Sequence, residues 1–360
     1  MTKGRIAALV GPEKVEIKSF DVPEPEPGAV VLGVRRANVC GSDVHQWHYE
    51  SPALREAGLG HEFVGEVVAL GEGVETDFAG EPVAIGDRVV AVYYLTCHRC
   101  GPCRRGQFNL CTRGLASWSV NPEVAPHFRS GFATHYYVQP GQFFYKVPDR
   151  VDDAAAAGAN CGLAQMLFVL DALEVKAGET LVVQGAGGLG LYATAAARER
   201  GVRVIVVDGV ADRLELARRF GAARTVDMTE HPTAQARAEV VREATGGADA
   251  VLEATGVSAA FAEAIELARP GGRIASVGNL DARPEADVAV SPGLLTRKSL
   301  TVKGVLRYDP NYLHRAVAFL ARNPELPLGS LTDSAYPLDD VVEALHRGEQ
   351  RSVARVAIVP

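Results

Sequence analysis

The 360 residues are 47% hydrophobic and 22% charged, with a formal net charge of -7 and a pI of about 5.8. That length exceeds one ordinary core and predicts about two domains. The acidic balance argues against a nucleic-acid partner, no apolar run approaches the ~18 residues of a membrane helix, and Ile6-Ala7-Ala8-Leu9-Val10 is too short for a signal core, so the expectation is a cytoplasmic protein with no membrane partner.

The first third reads as short strands between turn signals: Ile6 to Val10, Val15 to Ile17, Val30 to Val34, Phe63 to Leu70 and Arg88 to Val92, separated by Gly11-Pro12, Pro23 to Gly28, Gly71-Glu72-Gly73 and Gly86-Asp87. Such a series suits a small, partly open barrel, with a sandwich as the alternative. Within it, Cys40-Gly41-Ser42-Asp43-Val44-His45 and Gly60-His61-Glu62 collect a thiol, a hydroxyl, imidazoles and carboxylates that packing alone does not require. Next comes Cys97, Cys100, Cys103 and Cys111, spaced C-x2-C-x2-C-x7-C. Four thiolates so close, among Gly and Pro, can close a tetrahedral structural site that pins the 97–111 loop. Zinc fits best, and an iron–sulfur cluster is the rival.

From about Ala154 the texture changes to alternating helix and strand. An Ala-rich stretch covers Asp153 to Ala157, and a helix fits Gly162 to Leu173. The strand Thr180 to Gln184 runs into Gly185-Ala186-Gly187-Gly188-Leu189-Gly190, then a helix from Leu191 to Arg200, then the strand Val202 to Val207 with Asp208 at its end. This is G-x-G-x-x-G in a strand–turn–helix context, with glycines for the tight turn and close approach of a pyrophosphate at the helix N-terminus. Asp208 lies 18 residues beyond Gly190, near the ~20 expected for a carboxylate that accepts ribose hydroxyls. Such a carboxylate repels a 2′-phosphate. Arg213 is near, but Asp208-Gly209 puts no arginine at the strand end, so NAD is the expected cofactor. Further strands fit Arg224 to Asp227, Ala250 to Glu253, Arg273 to Val277 and Leu300 to Lys303. Helices fit Asp212 to Arg219, Thr233 to Thr245 and Ala259 to Ala268. That makes about six strands, the number in a doubly wound dinucleotide domain. Thr255-Gly256 and Gly278 follow strands, on the edge where ligands bind. The remainder, with helices at Tyr312 to Ala321 and Leu338 to His346 and a strand-like Val353 to Val359, is short for a domain and is expected to complete the first one.

Cys40, His61 and Cys161 remain for a second metal. A Cys2His set with an open position is a catalytic zinc type, expected in a cleft between the domains. A lone His61 is most often a core residue and a lone Cys161 a small hydrophobe, but Gly60 and Glu62 flank His61 and two cysteines are otherwise unemployed. Zinc there acts as a Lewis acid toward an alcohol. Ser42 can hydrogen-bond the alcohol oxygen, and His45 can pass the proton to solvent through the cofactor ribose. Asp43 is placed to orient His61, and Glu62 to sit behind the metal or exchange with a ligand. His48 has no such address and reads as a surface or pocket residue. Trp47, Tyr49 and Trp118 are candidates for the substrate pocket.

Together, Cys40 to Asp43, Gly60-His61-Glu62, the four-cysteine loop, Cys161, and Gly185 to Gly190 with Asp208 resemble the zinc-containing medium-chain alcohol dehydrogenases. The resemblance covers essentially the whole chain. It implies an α/β fold in which a GroES-like β-barrel catalytic domain (1–160 and 307–360) is interrupted by a Rossmann doubly wound parallel sheet (161–306). It also implies a homodimer or homotetramer, two zinc ions per chain, contact of Val277 backbone groups with the nicotinamide carboxamide, and a small-molecule alcohol or carbonyl substrate. The third metal ligand in this family is Cys or Glu, and Cys161 resembles the alcohol-dehydrogenase choice. Asn160 and Leu163-Ala164-Gln165 depart from the Gly-rich, threonine-containing stretch of the best-known members. Gly41, where many primary-alcohol enzymes carry a basic residue, leans toward a secondary or cyclic alcohol. The alternatives are a polyol or cyclitol dehydrogenase of the same fold, or an NAD-binding sensor or scaffold without turnover. The zinc-free quinone and enoyl reductases of this fold would leave Cys40, His61 and Cys161 without purpose.

Overall fold

The computed structural model describes residues 2–48, 57–116, 120–278, 284–350 and 355–360. The pocket candidates Tyr49 and Trp118 lie outside these. Strands are β1 (Lys3–Gly11), β2 (Lys14–Asp21), β3 (Val30–Val39), β4 (Glu62–Leu70), β5 (Arg88–Ala91), β6 (His135–Val138) and β7 (Phe144–Lys146), then β8 (Thr180–Gln184), β9 (Arg203–Asp208), β10 (Arg224–Asp227), β11 (Ala248–Glu253), β12 (Ala268–Ser276) and β13 (Thr301–Gly304), and finally β14 (Thr332–Pro337) and β15 (Arg355–Val359). They divide between two compact units, Met1–Ala164 with Asp309–Pro360, and Gln165–Tyr308. The expected boundaries at 160/161 and 306/307 fall a few residues earlier, and the difference puts Cys161 in the first unit.

In the first unit β1 and β2 form an antiparallel hairpin. A second sheet runs β14-β15-β3-β4-β5-β7, with β6 also paired to β3. This is the expected GroES-like barrel. β15 lies antiparallel to β3, Val356 opposite Val39, so the tail returns across more than three hundred residues to flank the strand that delivers Cys40. β3 is rich in valine, which suits a pleated, buried surface. Its side chains Leu32, Val34 and Val39 share a core with Trp47, Phe63, Leu345 and Ile358. Trp47 is 1% exposed, so it packs this core and does not line a pocket.

The second unit has six parallel strands in the order β10-β9-β8-β11-β12-β13. Numbered within the unit this is 3-2-1-4-5-6, the doubly wound dinucleotide-binding order. β8 is buried at all five residues, as a strand covered on both faces by helices must be. β6, β7, β14 and the helix Pro292–Lys298 escape the sequence reading because they are short and their apolar periodicity is weak. Among the described residues no helix is long and apolar enough to cross a membrane.

Candidate active site and cofactor site

β3 ends at Val39, and Cys40 caps the helix Gly41–Trp47 that follows. Asp43 in its first turn is fully buried. Its Oδ2 accepts the Cys40 N–H at 2.8 Å, and its Oδ1 accepts from His61 Nδ1 at 2.9 Å and from the Gly60 N–H at 3.3 Å. One carboxylate thus ties the helix start to the entry of β4 and sets the His61 ring with Nε2 outward. Gly60 has φ +87°, and a Cβ there would lie 2.3 Å from the Phe132 ring, so only glycine passes. The Tyr93 ring meets the His61 ring edge-on at 5.1 Å. Ser42 Oγ is 3.3 Å from His61 Nε2. His45 is exposed three residues further on, on the same helix face as Ser42.

Cys161 arrives on a π-helical turn, Ala159–Leu163, a distortion that recurs at functional sites. Where the sequence predicts a plain helix from Gly162, this wider turn precedes the α-helix Ala164–Ala172. Buried Asn160 donates from Nδ2 to the Ala91 carbonyl at 3.0 Å. The segment leaving β5 therefore steadies both donors, Cys161 through Asn160 and His61 through Tyr93.

Donor atoms of Cys40, His61, Glu62 and Cys161 all lie within 4.8 Å of one another. Tetrahedral zinc with bonds of about 2.0–2.3 Å places its ligands about 3.3–3.8 Å apart, so the set fits such an ion. The chemistry agrees. A hydrogen bond from the Cys161 thiol pulls the Cys40 thiol well below its usual pKa, and the same contact with burial pushes Cys161 well above its own. Two sulfurs sharing one proton suit replacement of that proton by a cation. Glu62 is fully buried, and burial raises its pKa to about 8 although Arg355 opposes the shift. The Arg355 guanidinium is 2.9 Å from its carboxylate, and the pair is 4% and 0% exposed. Sequence reasoning missed Arg355, Tyr93 and the anchoring role of Asn160. The available signal was a charge beside an apolar strand, Arg355 before Val356-Ala357-Ile358.

The sulfurs of Cys97, Cys100, Cys103 and Cys111 likewise lie within 4.8 Å of one another. Backbone hydrogen bonds from Cys103 and Thr112 lower Cys100 to about 6, whereas burial and neighbouring sulfurs push Cys103 up to about 12. All four donors are thiols and, among the described residues, no fifth group joins them, so the site is closed, as a structural ion requires.

His48, expected at the surface or in a pocket, is part-exposed and held between two carboxylates. It ends the helix Gly41–Trp47, with Nδ1 2.8 Å from Glu13 and Nε2 2.9 Å from Glu349. A neutral imidazole donates from one nitrogen only, so two carboxylates on two nitrogens call for the imidazolium. Burial draws its pKa down, but the two carboxylates outweigh that and the net shift is upward. A raised folded-state pKa contributes stability at low pH and loses it as pH climbs through that pKa. His48→Gln is therefore expected to lower Tm by about 2 °C near pH 6, with the gap to the parent closing by about pH 8.5. A gap that widens with pH would refute this.

In the second unit Gly185, with φ +95°, opens the turn after β8. A Cβ on Gly190 would lie 1.8 Å from the Gly185 carbonyl, whereas one on Gly187 would meet nothing within 4 Å. Gly190 thus serves packing, and Gly187 leaves the concave space a phosphate needs. Gly188 and Leu189 begin the helix Gly188–Glu199. Asp208 is 7% exposed. Its Oδ2 accepts the Ala186 N–H at 2.6 Å and its Oδ1 the Val210 N–H at 2.9 Å. Two bonds leave a carboxylate acceptor capacity for ribose hydroxyls. Arg213 sits in the first turn of the helix Ala211–Arg219. The Val277 N–H donates to the Glu253 carbonyl at 3.1 Å. The Val277 N–H, one of the backbone groups expected at a carboxamide, is therefore engaged within the fold.

The chain matches the family model for the alcohol dehydrogenase GroES-like domain over residues 26–149, and that for zinc-binding dehydrogenase over residues 188–322. It is 34% identical to an L-threonine 3-dehydrogenase of Aeromonas hydrophila, over 81% of each chain. To a 5-exo-hydroxycamphor dehydrogenase of Pseudomonas putida it is 32% identical, over 96% of this chain and 95% of that one. An alcohol dehydrogenase from Thermotoga maritima superposes over the full length of both chains with a TM-score of 0.93 at 31% identity. A zinc-binding-dehydrogenase-like protein of Sinorhizobium meliloti, bound to NADP, superposes over both full lengths with a TM-score of 0.86 at 26% identity.

Proposed function

Since this chain belongs to the zinc-dependent medium-chain dehydrogenase family and is an oxidoreductase acting on alcohols, we propose that it interconverts a secondary or cyclic alcohol and its ketone with NAD. The observation that carries this reading is the convergence of Cys40, His61, Glu62 and Cys161 with the Ser42 hydroxyl 3.3 Å from His61 Nε2. When held there by Cys40, His61 and Cys161, with Glu62 beside them, zinc supplies Lewis acidity toward the alcohol oxygen. Nicotinamide supplies the hydride acceptor. Ser42 takes the hydroxyl proton, and His45, exposed on the same helix face, releases it to solvent. Asp43 keeps the His61 ring in register throughout. A second zinc in the 97–111 loop has a structural role.

The hydroxycamphor and threonine relatives are named for substrates with a secondary hydroxyl, and Gly41 leaves the helix start bare, with nothing near its Cα for a side chain to meet. Both support the secondary-alcohol reading. The assembly we propose is a homodimer or homotetramer. β13 ends its sheet with all four residues exposed, which supports pairing with a second copy, and ultracentrifugation decides it.

The test is a panel of secondary, cyclic and primary alcohols and of polyols, with NADH formation followed by absorbance. Turnover confined to polyols would select the polyol or cyclitol alternative. No turnover by zinc-loaded protein, with dinucleotide still bound, would select the sensor or scaffold.

Asp208 makes the cofactor choice testable. On this reading its buried carboxylate accepts the ribose hydroxyls where NADP would carry its 2′-phosphate, and like charges in contact cost several kcal/mol. The KM for NADP is expected to exceed that for NAD by about 100-fold. Asp208→Ala is expected to raise the KM for NAD and narrow this ratio. A parent KM for NADP below that for NAD refutes the choice.

A further inference from the structure

The carboxyl edge of the parallel sheet holds one buried acid that the reading above leaves unused. Glu253 is the last residue of β11, between β8 and β12, and is 1% exposed. Its Oε1 accepts the Thr255 N–H at 2.8 Å, the Thr255 hydroxyl at 2.8 Å and the Gly256 N–H at 3.0 Å. Its Oε2 accepts the Ser276 hydroxyl at 3.4 Å and the Gly278 N–H at 3.3 Å. No cation lies within ion-pair distance of it among the described residues. Among the described residues its charge is met by N–H and O–H dipoles from the end of β12 and from the loops that leave β11 and β12.

These loops touch backbone to backbone. A Cβ on Gly278 would lie 2.5 Å from the Gly256 nitrogen, and Gly256 itself has φ +75°. The same stretch abuts the glycine-rich turn, where a Cβ on Gly185 would lie 3.1 Å from the Thr255 methyl. A ligand of a doubly wound sheet crosses its carboxyl edge where the strand order reverses, here between β8 and β11. Gly185 to Gly190 and Asp208 serve the adenosine and pyrophosphate half. The other half must then meet the exits of β11 and β12, the two loops that Glu253 joins.

We propose that Glu253 is the positioning residue for the nicotinamide half of the dinucleotide. It presets Thr255–Val257 and Ser276–Gly278, so that binding need not order them. A carboxylate accepts all five donors, whereas the amide of glutamine would turn two donors of its own toward N–H and O–H groups. The proposal rests on the dinucleotide reading of the second unit.

The experiment is fluorescence titration of the full-length, zinc-loaded protein with NADH, and calorimetry with ADP-ribose, which lacks the nicotinamide. For Glu253→Gln the Kd of NADH is expected to rise about tenfold or more while that of ADP-ribose stays within about twofold. Ser276→Ala and Thr255→Ser are milder changes to the same contacts. The serine keeps the hydroxyl donor, so only Ser276→Ala is expected to weaken NADH selectively. Should Glu253→Gln fail to fold, that contrast decides. An equal rise for both ligands, or no rise for either, overturns the proposal. A parent protein that binds neither NADH nor NADPH would instead overturn the reading beneath it.

Discussion

Replacing Cys40 by alanine is expected to leave a folded protein that holds one zinc of two and oxidises alcohol about a thousandfold more slowly, or worse. Truncation removes the capping contact of the Cys40 side chain with the Asp43 N–H but leaves the backbone bonds of the helix start. The Cys40 carbonyl accepts the Asp43 N–H at 3.0 Å, and the Cys40 N–H donates to Asp43 Oδ2 at 2.8 Å. Both bonds survive truncation at Cβ. What goes is one donor of the converging four, and with it the low-pKa thiol that hydrogen-bonds Cys161. The four-cysteine loop shares none of its ligands with that set, so its ion is expected to stay. Metal analysis, near-UV circular dichroism and kcat/KM on the same preparation separate these effects. Activity within tenfold of the parent would remove Cys40 from the site. Two zincs retained would remove it from the metal. A scaffold function would survive the change in cells, whereas an enzymatic one would not.

Motifs whose chemistry is local were legible in the sequence. The glycine-rich turn is one, because strand, turn, helix and Asp208 fall within thirty residues and each glycine answers a backbone demand there. The four-cysteine loop is another, since the spacing itself brings the sulfurs together. Cys40, His61 and Cys161 could be nominated only by elimination, because they meet through the fold and not through spacing. Partners delivered from far away were not legible. Arg355 reaches Glu62 because β15 pairs with β3 after the whole second unit has intervened. Glu253 looked like an ordinary strand end, since nothing local says that five donors will converge on it. Trp47 was misplaced for the opposite reason. Proximity to Cys40 suggested a pocket, whereas the helix Gly41–Trp47 turns that ring into the barrel core.

Breaking the buried pair of Arg355 and Glu62 is expected to cost about 3–5 kcal/mol of stability after chelation, by urea unfolding of Arg355→Met. The loss should be smaller with zinc present. Arg355 and Glu62 are 4% and 0% exposed, so removing the guanidinium leaves a carboxylate that water cannot reach. Without the metal that charge keeps His61 as a favourable neighbour but loses its ion-pair partner, and folding must either bury it underpaired or protonate it. The tendency is already visible in the raised pKa, about 8, set mainly by burial. Zinc held by Cys40, His61 and Cys161 would put a dication near the same carboxylate and would offset part of the lost partner. Glu62→Gln combined with Arg355→Met removes both charges and is expected to recover most of the chelated-state loss, giving a large non-additive coupling. Equal losses with and without zinc would mean that Glu62 does not sense the metal at all. Strict additivity would mean that Arg355 supports the β15–β3 pairing by packing alone.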